Sequence, residues 1–171
     1  MPTCSKKAKN LPELASTLAP AQRGDALELD EFWSFVLRKS NKAWVWLALC
    51  RRTRQVVAVA VGDRSEKTCR QLWERIPAQY RKKQAYTDFW EAYYGVVPER
   101  QHRPGGKEEG QTNHVERFNN TLRQRLGRFV RKTLSFSKCP KMHWWCLLLF
   151  LHEHNKACLK RLAREQAKQS T

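Results

Sequence analysis

The chain has 171 residues, which is enough for one domain of ordinary size with short tails. Its 33 Lys and Arg residues against 16 Asp and Glu leave a formal net charge of +17. This excess goes beyond what solubility needs and is typical of a protein with a polyanionic partner. A content of 41% hydrophobic residues excludes an intrinsically disordered chain. Nucleic acid is the expected partner, although a basic surface also suits an anionic membrane or the ribosome.

The first part of the chain predicts an arm followed by a sheet. Residues 1–24 mix prolines with polar side chains, which favours an extended N-terminal arm or linker. Three strands are then expected at residues 26–36, 43–50 and 56–62. The nearly continuous apolar residues of the second and third strands indicate a sheet covered on both faces. A helix is predicted from Ser65, its N-cap, to Pro77, and QAYTDFW predicts a fourth strand.

The second part is predicted to be helical apart from one loop. After a brief helix ending near Pro98, the glycine-rich and charged residues 100–113 predict a mobile surface loop. From His114 onward, apolar side chains recur every three or four residues, which predicts a long amphipathic helix. A second helix, rich in Trp and Leu, is expected at residues 141–163. Since no signal segment or membrane-spanning run is visible, we expect a cytoplasmic protein without membrane attachment.

Three acidic residues occur where acids are unusual. Asp30 and Asp88 lie within predicted apolar strands, where Asp is depleted, and Glu116 lies on an otherwise basic helix. A charged carboxylate beside a covered sheet is costly unless an Arg or a metal ion pairs with it. Two divalent ions about 4 Å apart catalyse phosphodiester displacement, and clustered carboxylates are the ligands that hold them. The three acids therefore predict a site for Mg²⁺ or Mn²⁺ rather than zinc.

The predicted helix that bears Glu116 has a polar face. This polar face consists of four residues whose spacing brings them to one side of the helix: Glu116, Asn119, Asn120 and Arg123. We expect Arg123 to bind a DNA phosphate and Asn120 to face the same DNA-binding site. His114, two residues before Glu116, is a further candidate for DNA contact. Phosphate contacts are also predicted for the basic residues that border the site, namely Arg117, Arg125, Arg128, Arg131 and Lys132.

Several stretches of the sequence resemble one family closely. The insertion-sequence-one family of bacterial transposases is similar over roughly residues 24–138, in LDEFWSFV, WVWLAL, VAVGDRS, YTDFW and above all HVERFNNTLRQRLGRFVRKTLSFSK. The resemblance implies an α/β, ribonuclease-H-like fold, with a mixed sheet of three antiparallel strands, then a helix and a parallel strand, flanked by helices. The catalytic domain is expected at residues 25–140, and a C-terminal helix with a basic tail at residues 141–171.

The resemblance also implies a catalytic Asp-Asp-Glu triad formed by Asp30, Asp88 and Glu116. In the implied fold the first and fourth strands lie side by side, which brings the two aspartates together, and the helix of Glu116 packs across them. Arg123 matches the basic residue that this family carries seven positions after the glutamate. Such transposases nick DNA to free a 3′ hydroxyl and then use it to attack target DNA.

The sequence departs from the family at its N-terminus. Family members normally carry a zinc finger and a helix-turn-helix that recognise the ends of the element, and nothing before Gly24 predicts either one. The chain is interpreted as the second reading frame of the element, normally fused to the first by frameshifting, or as a truncated copy. The expected partners are element-end and target DNA, further copies of the chain, and an N-terminal zinc-finger and helix-turn-helix protein of the same element. The expected location is the bacterial cytoplasm, in association with the nucleoid.

Two other classes of function remain open at this point. A non-catalytic DNA-binding regulator, or a truncated transposase remnant, has the same fold and charge without turnover. An RNA-binding or ribosomal protein predicts no buried cluster of acids. Metal-dependent strand cleavage distinguishes the transposase from the regulator, whereas DNA binding fits both.

Overall fold

The structure, a computed structural model, describes residues 10–132 and 134–169, without the side chains of Lys107 and Gln169. The strands are β1 (Ala26–Val36), β2 (Arg38–Cys50), β3 (Val56–Gly62), β4 (Gln84–Thr87) and β5 (His102–Pro104). The α-helices are α1 (Glu66–Arg75), α2 (Ala78–Arg81), α3 (Glu91–Tyr94), α4 (Asn113–Arg125) and α5 (Pro140–Gln169). Short 3₁₀ turns occur at Leu14–Thr17, Lys107–Glu109 and Gly127–Phe129.

The strands form one mixed sheet in the order β3-β2-β1-β4-β5. The first three are antiparallel neighbours, whereas β4 runs parallel to β1 and β5 parallel to β4. The expected side-by-side position of the first and fourth strands is confirmed. The prediction of a mobile surface loop at residues 100–113 is wrong in part, because His102–Pro104 form β5. This strand has three residues and ends in Pro104, which lacks an N–H and is tolerated at a sheet edge.

Helices cover the sheet on both faces, as the apolar second and third strands indicate. Side chains alternate along β2, so Trp46 and Leu47 point to opposite faces of the sheet. Trp46 belongs to an apolar core that includes Leu72 of α1 and Tyr93 of α3. Leu47 belongs to a second core, which contains side chains of α4 and α5 such as Leu122. The architecture is therefore an α/β domain with helices in two layers around the sheet.

The two long helices differ in length from the prediction. α4 ends at Arg125, because Leu126 has extended backbone angles and Gly127 begins a 3₁₀ turn. Phe129 follows in that turn and is still buried against the sheet. α5 is longer than predicted and begins at Pro140, a residue that suits the first helical position because it needs no N–H partner there.

Part of the predicted N-terminal arm packs against the domain. Within Leu14–Thr17 the chain forms a 3₁₀ turn, and the Gln55 amide donates to the Thr17 carbonyl at 2.7 Å. Ala19 N–H donates to Gln55 Oε1 at 2.9 Å, and Asn155 of α5 donates to Thr17 Oγ1 at 2.9 Å. The first nine residues of the arm lie outside the described residues. Across the described part of the chain, no helix is long and apolar enough to cross a bilayer.

Candidate active site

The three acids singled out in the sequence line one polar pocket of about 340 Å³. Asp30 comes from the middle of β1, Asp88 directly follows β4, and Glu116 lies in the first turn of α4. Asp30 and Asp88 each lie two residues beyond the paired residues Glu28 and Tyr86, so the parallel register brings them to the same level. The parallel pairing of β1 and β4 thus brings the two aspartates together, and α4 adds the glutamate.

The electrostatics of the pocket centre on Asp30. Burial is the main cause that raises the pKa of Asp30, to about 8, and the charges of Glu31, Asp88 and Glu116 raise it further. Asn119, one turn after Glu116, donates its amide N–H to Asp30 Oδ2 at 2.6 Å. These carboxylates therefore share a region in which their negative charges repel one another and favour a bound cation.

An ion pair with a buried carboxylate lies beside Asp30. The Glu31 side chain is buried, and its Oε1 accepts hydrogen bonds from Arg64 Nε at 2.9 Å and Nη2 at 2.7 Å. Tyr93 donates its hydroxyl to the other oxygen at 2.7 Å. The Arg64 guanidinium also lies over the ring of Trp90, 3.9 Å from its centroid, and 4.8 Å from that of Trp44. Arg64 is thereby held at the rim of the pocket by contacts on several sides.

A second buried acid of β1, Glu28, anchors the helix that carries Glu116. Its Oε2 accepts the backbone N–H groups of His114 and Val115, each at 2.9 Å. Its Oε1 lies 2.6 Å from His114 Nδ1 and 2.8 Å from Arg51 Nε. The first N–H groups of a helix have no partner within the helix, and a carboxylate there also interacts favourably with the helix dipole. Glu28 therefore holds α4 against the sheet just before Glu116.

Sequence reasoning missed Glu28, Glu31 and Arg64. A signal was present, because each acid is an additional carboxylate in the apolar strand that contains Asp30. Their partners, however, come from distant segments. Glu28 is bound by α4, and Glu31 by a turn after β3 and by α3. Spacing along β1 alone does not distinguish a buried ion pair from a metal ligand.

The predicted site residues divide into two groups. Those that line the carboxylate pocket are Asp30, Asp88, Glu116, Asn120, Arg123 and Arg131. Those that lie elsewhere are His114, Arg117, Arg125, Arg128 and Lys132. Since successive helix residues are about 100° apart, His114 and Arg117 occupy a different face of α4 from Glu116 and line a separate pocket. Arg128 lines a third surface pocket beside Phe136, and Arg125 and Lys132 are exposed.

The donors of the pocket suit a hydrated divalent cation. In the described residues, no group of three or more His, Cys, Asp or Glu side chains is arranged to hold a metal ion. Mg²⁺ commonly keeps several waters and uses only one or two protein carboxylates, so a closed cage is not required. Asn119 Oδ1 is buried and has no hydrogen-bond partner within the described part of the chain, next to Asp30. Hard oxygen donors and an unpaired amide oxygen therefore fit Mg²⁺ or Mn²⁺.

The fold and the pocket define an α/β protein with a carboxylate-lined pocket and a strongly basic composition. A comparison with known protein families matches residues 26–157 to the IS1 transposase family. The matched range begins with β1, includes all five strands and reaches into α5. The chain belongs to the IS1 transposase family.

Individual relatives agree with this assignment. The insertion element iso-IS1n protein InsB of Shigella dysenteriae is 35% identical over 127 residues, which is 74% of this chain and 94% of the relative. The insertion element IS1 protein InsB of Shigella flexneri is 35% identical over 116 residues, 68% of this chain and 86% of the relative. The insertion element IS1 4 protein InsB of Escherichia coli (strain K12) is 34% identical over 116 residues, 68% of this chain and 67% of the relative.

Proposed function

We propose that this chain is a transposase that cleaves DNA strands at the ends of an insertion sequence and joins them to target DNA. Asp30, Asp88 and Glu116 act as its catalytic carboxylates, with Mg²⁺ or Mn²⁺ as the cofactor. The observation that carries this proposal is the convergence of these acids, from three separate elements, on one pocket. The parallel β1–β4 pair and the strand order further support a ribonuclease-H-like architecture.

The residues of the pocket have different roles: some hold the metal ions, and others orient a carboxylate or bind DNA. The carboxylates of Asp30, Asp88 and Glu116 would hold divalent ions, which would activate the attacking oxygen and stabilise the leaving oxygen. Asn119 fixes the orientation of Asp30 through its 2.6 Å hydrogen bond. Arg123 and Arg131 border the same pocket, where their guanidinium groups bind phosphates of the DNA backbone. Asn120 is available to bind the DNA sugar or phosphate oxygens.

We infer that residues 25–140 form the catalytic domain and that the C-terminal helix belongs to the same folded unit. Leu147 and Leu151 of α5 support this inference, because both are fully buried in the core that also contains side chains of α4. Recognition of the element ends is assigned to an N-terminal zinc-finger and helix-turn-helix half, fused or separate. Action on paired DNA ends requires self-association of the chain, and the site of action is the nucleoid.

The test is a cleavage and strand-joining assay on labelled element-end DNA in Mg²⁺, Mn²⁺ or EDTA. Asp88→Asn and Glu116→Gln keep the size of each side chain and remove its charge. Both are expected to abolish metal-dependent products while DNA binding in EDTA persists. Glu99→Gln is the matched control, because Glu99 is an exposed acid outside the pocket.

The outcomes separate the transposase from the regulator. Products that need metal and are lost in both pocket variants, but not in the control, support the transposase. If the chain is inert alone and reacts only when fused to an N-terminal DNA-binding half, it is the catalytic module of a two-part enzyme. If the fusion binds DNA and still forms no product, the catalytic assignment is wrong and the chain is a DNA-binding regulator.

A further inference from the structure

A second pocket, of about 270 Å³, lies on another face of α4 from the carboxylates. Three arginines from three elements line it: Arg54 from the turn between β2 and β3, Arg117 from α4 and Arg161 from α5. His114, Thr121 and His154 complete its polar lining. Among the described residues that line this pocket, none is acidic. We call it the basic pocket.

The turn that presents Arg54 is held in an unusual conformation. Arg54 has a φ of +62°, a backbone conformation that side-chain-bearing residues seldom adopt. Its N–H donates to the Cys50 carbonyl at 2.9 Å, and its carbonyl accepts a hydrogen bond from His154 Nε2 at 2.8 Å. Arg161 donates to the neighbouring Thr53 carbonyl at 3.0 Å. His154 and Arg161 of α5 thus fix the turn. They hold Arg54 in its strained backbone conformation, where its side chain shares the pocket with Arg117 and Arg161.

The Arg54 guanidinium is incompletely hydrogen-bonded and lies near two other positive charges. Its Nη1 is buried and has no hydrogen-bond partner in the described part of the chain. Burial is the main cause that lowers the pKa of Arg54; the charge of Glu28 opposes this shift, whereas the charges of Arg161 and Arg117 add to it. The Glu28 carboxylate is already bound by Arg51 and by the start of α4. An anion in the basic pocket would relieve this repulsion.

We propose that the basic pocket binds a phosphate group of the DNA backbone. Arginine is the preferred residue for phosphate because its planar guanidinium donates two parallel hydrogen bonds. The pocket volume lies just below the range of about 300–1,000 Å³ typical of small-molecule sites, which suits a phosphate group better than a whole nucleotide. The inference rests on the proposed function and deepens it. α4 contacts DNA on two faces, with the acid on one and an arginine of the basic pocket on the other.

The first experiment measures DNA affinity in EDTA over a series of salt concentrations. The variants are Arg54→Gly, which tolerates the positive φ, and the double variant Arg117→Gln with Arg161→Gln. The control, Lys67→Gln, removes one charge from α1, which packs on the opposite face of the sheet. We expect the affinity for DNA to fall about ten- to hundredfold in the pocket variants. The plot of log affinity against log salt concentration should also become less steep, by about 0.9 in slope for each phosphate that the variant no longer neutralises. The control is expected to stay within about twofold of the parent.

The second experiment identifies the source of the phosphate. Thermal unfolding is followed in inorganic phosphate and in chloride at equal ionic strength, for the parent and for the double variant. Stabilisation by phosphate that the double variant loses, together with its loss of DNA affinity, supports the proposal. Stabilisation by phosphate with unchanged DNA affinity overturns the DNA assignment in favour of a small phosphate ligand. If the double variant changes neither the DNA affinity nor the stabilisation by phosphate, the assignment of the basic pocket as a phosphate-binding site is wrong.

The two proposals fail in distinguishable ways. If Asp88→Asn and Glu116→Gln retain cleavage, the catalytic assignment is wrong. DNA binding in EDTA then still tests whether the basic pocket binds a phosphate of DNA. If the parent chain binds DNA and the pocket variants bind it equally well, the proposal that the basic pocket binds DNA is wrong. The catalytic assignment is not affected by this result. The melting temperatures of the unliganded variants show whether each one is folded.

Discussion

Replacing Glu28 with Gln is expected to destabilise the protein by about 3 kcal/mol. The Glu28 side chain is fully buried and accepts hydrogen bonds at both oxygens, from the start of α4 on one and from Arg51 and His114 on the other. Glutamine has nearly the same size but replaces one acceptor oxygen with a donor. Whichever way the amide is turned, donors then face its NH₂ group and lose their partner.

The magnitude follows from these contacts. A hydrogen bond to a charged group contributes about 1.5–3 kcal/mol, and a buried donor left without a partner costs about 1–3 kcal/mol. Arg51 is partly exposed, so its charge is still solvated after the substitution, and the total cost is about 3 kcal/mol, the lower end of the roughly 3–5 kcal/mol lost when a fully buried ion pair is broken. Because small domains are stable by only about 5–15 kcal/mol, the loss is a large fraction of the total.

Urea denaturation of the parent and two variants measures this effect. The matched control is Glu66→Gln, which breaks the exposed i,i+4 pair with Arg70 and is expected to cost less than about 1 kcal/mol. We also expect Glu28→Gln to lose metal-dependent cleavage at temperatures where it is folded, because Glu116 lies in the turn of α4 that Glu28 anchors. A Glu28→Gln variant that is no less stable than Glu66→Gln would contradict the role of Glu28 as the anchor of α4.

Three further predictions concern charge and packing. Burial raises the pKa of Asp30 to about 8, so the folded protein keeps a proton on this carboxyl group up to about that pH. In the unfolded chain Asp30 has its ordinary, lower pKa and has already lost this proton. The metal-free protein should therefore melt at progressively lower temperature between about pH 5 and pH 8 in EDTA, and Asp30→Asn should flatten this dependence. Arg64→Gln leaves the Glu31 carboxylate buried without its ion-pair partner, so it should cost about 2 kcal/mol in urea denaturation, and an unchanged midpoint would contradict the ion pair's role. Phe129→Ala should cost about 3–5 kcal/mol, since the ring is buried against the sheet, whereas Leu134→Ala, at a side chain that is 98% exposed, should stay within about 0.5 kcal/mol of the parent.

The candidate acids were identifiable in the sequence because each one breaks a local pattern. Asp30 interrupts an apolar strand, and Glu116 is an acid on a basic helix. Asp88 is predicted within a strand, and this placement is wrong by one residue, because β4 ends at Thr87 and Asp88 directly follows it. The strands themselves were predictable for a similar reason. β1 and β3 begin and end where predicted, since their apolar runs are bounded by polar turns. Helical spacing also predicted correctly that Asn120 and Arg123 share a pocket with Glu116.

Other features depend on contacts between distant segments. β5 is three residues long and carries no periodic pattern of its own, so only its pairing with β4 makes it a strand. The helical pattern of α4 continues to Phe129, yet the helix stops earlier, because Leu126 takes extended backbone angles and the chain turns at Gly127.

Local patterns in the sequence predict β1, β3 and the three acids, and they locate β2, β4 and the two long helices without their exact ends, because periodicity and an acid in an apolar run are properties of neighbouring residues. Only the tertiary structure decided that Glu28 anchors α4, that Glu31 pairs with Arg64, and that Arg54 faces two other arginines. Each of these side chains finds its partner in a different element. Burial also decides the protonation of Asp30, because the free energy of a charge depends on everything packed around it.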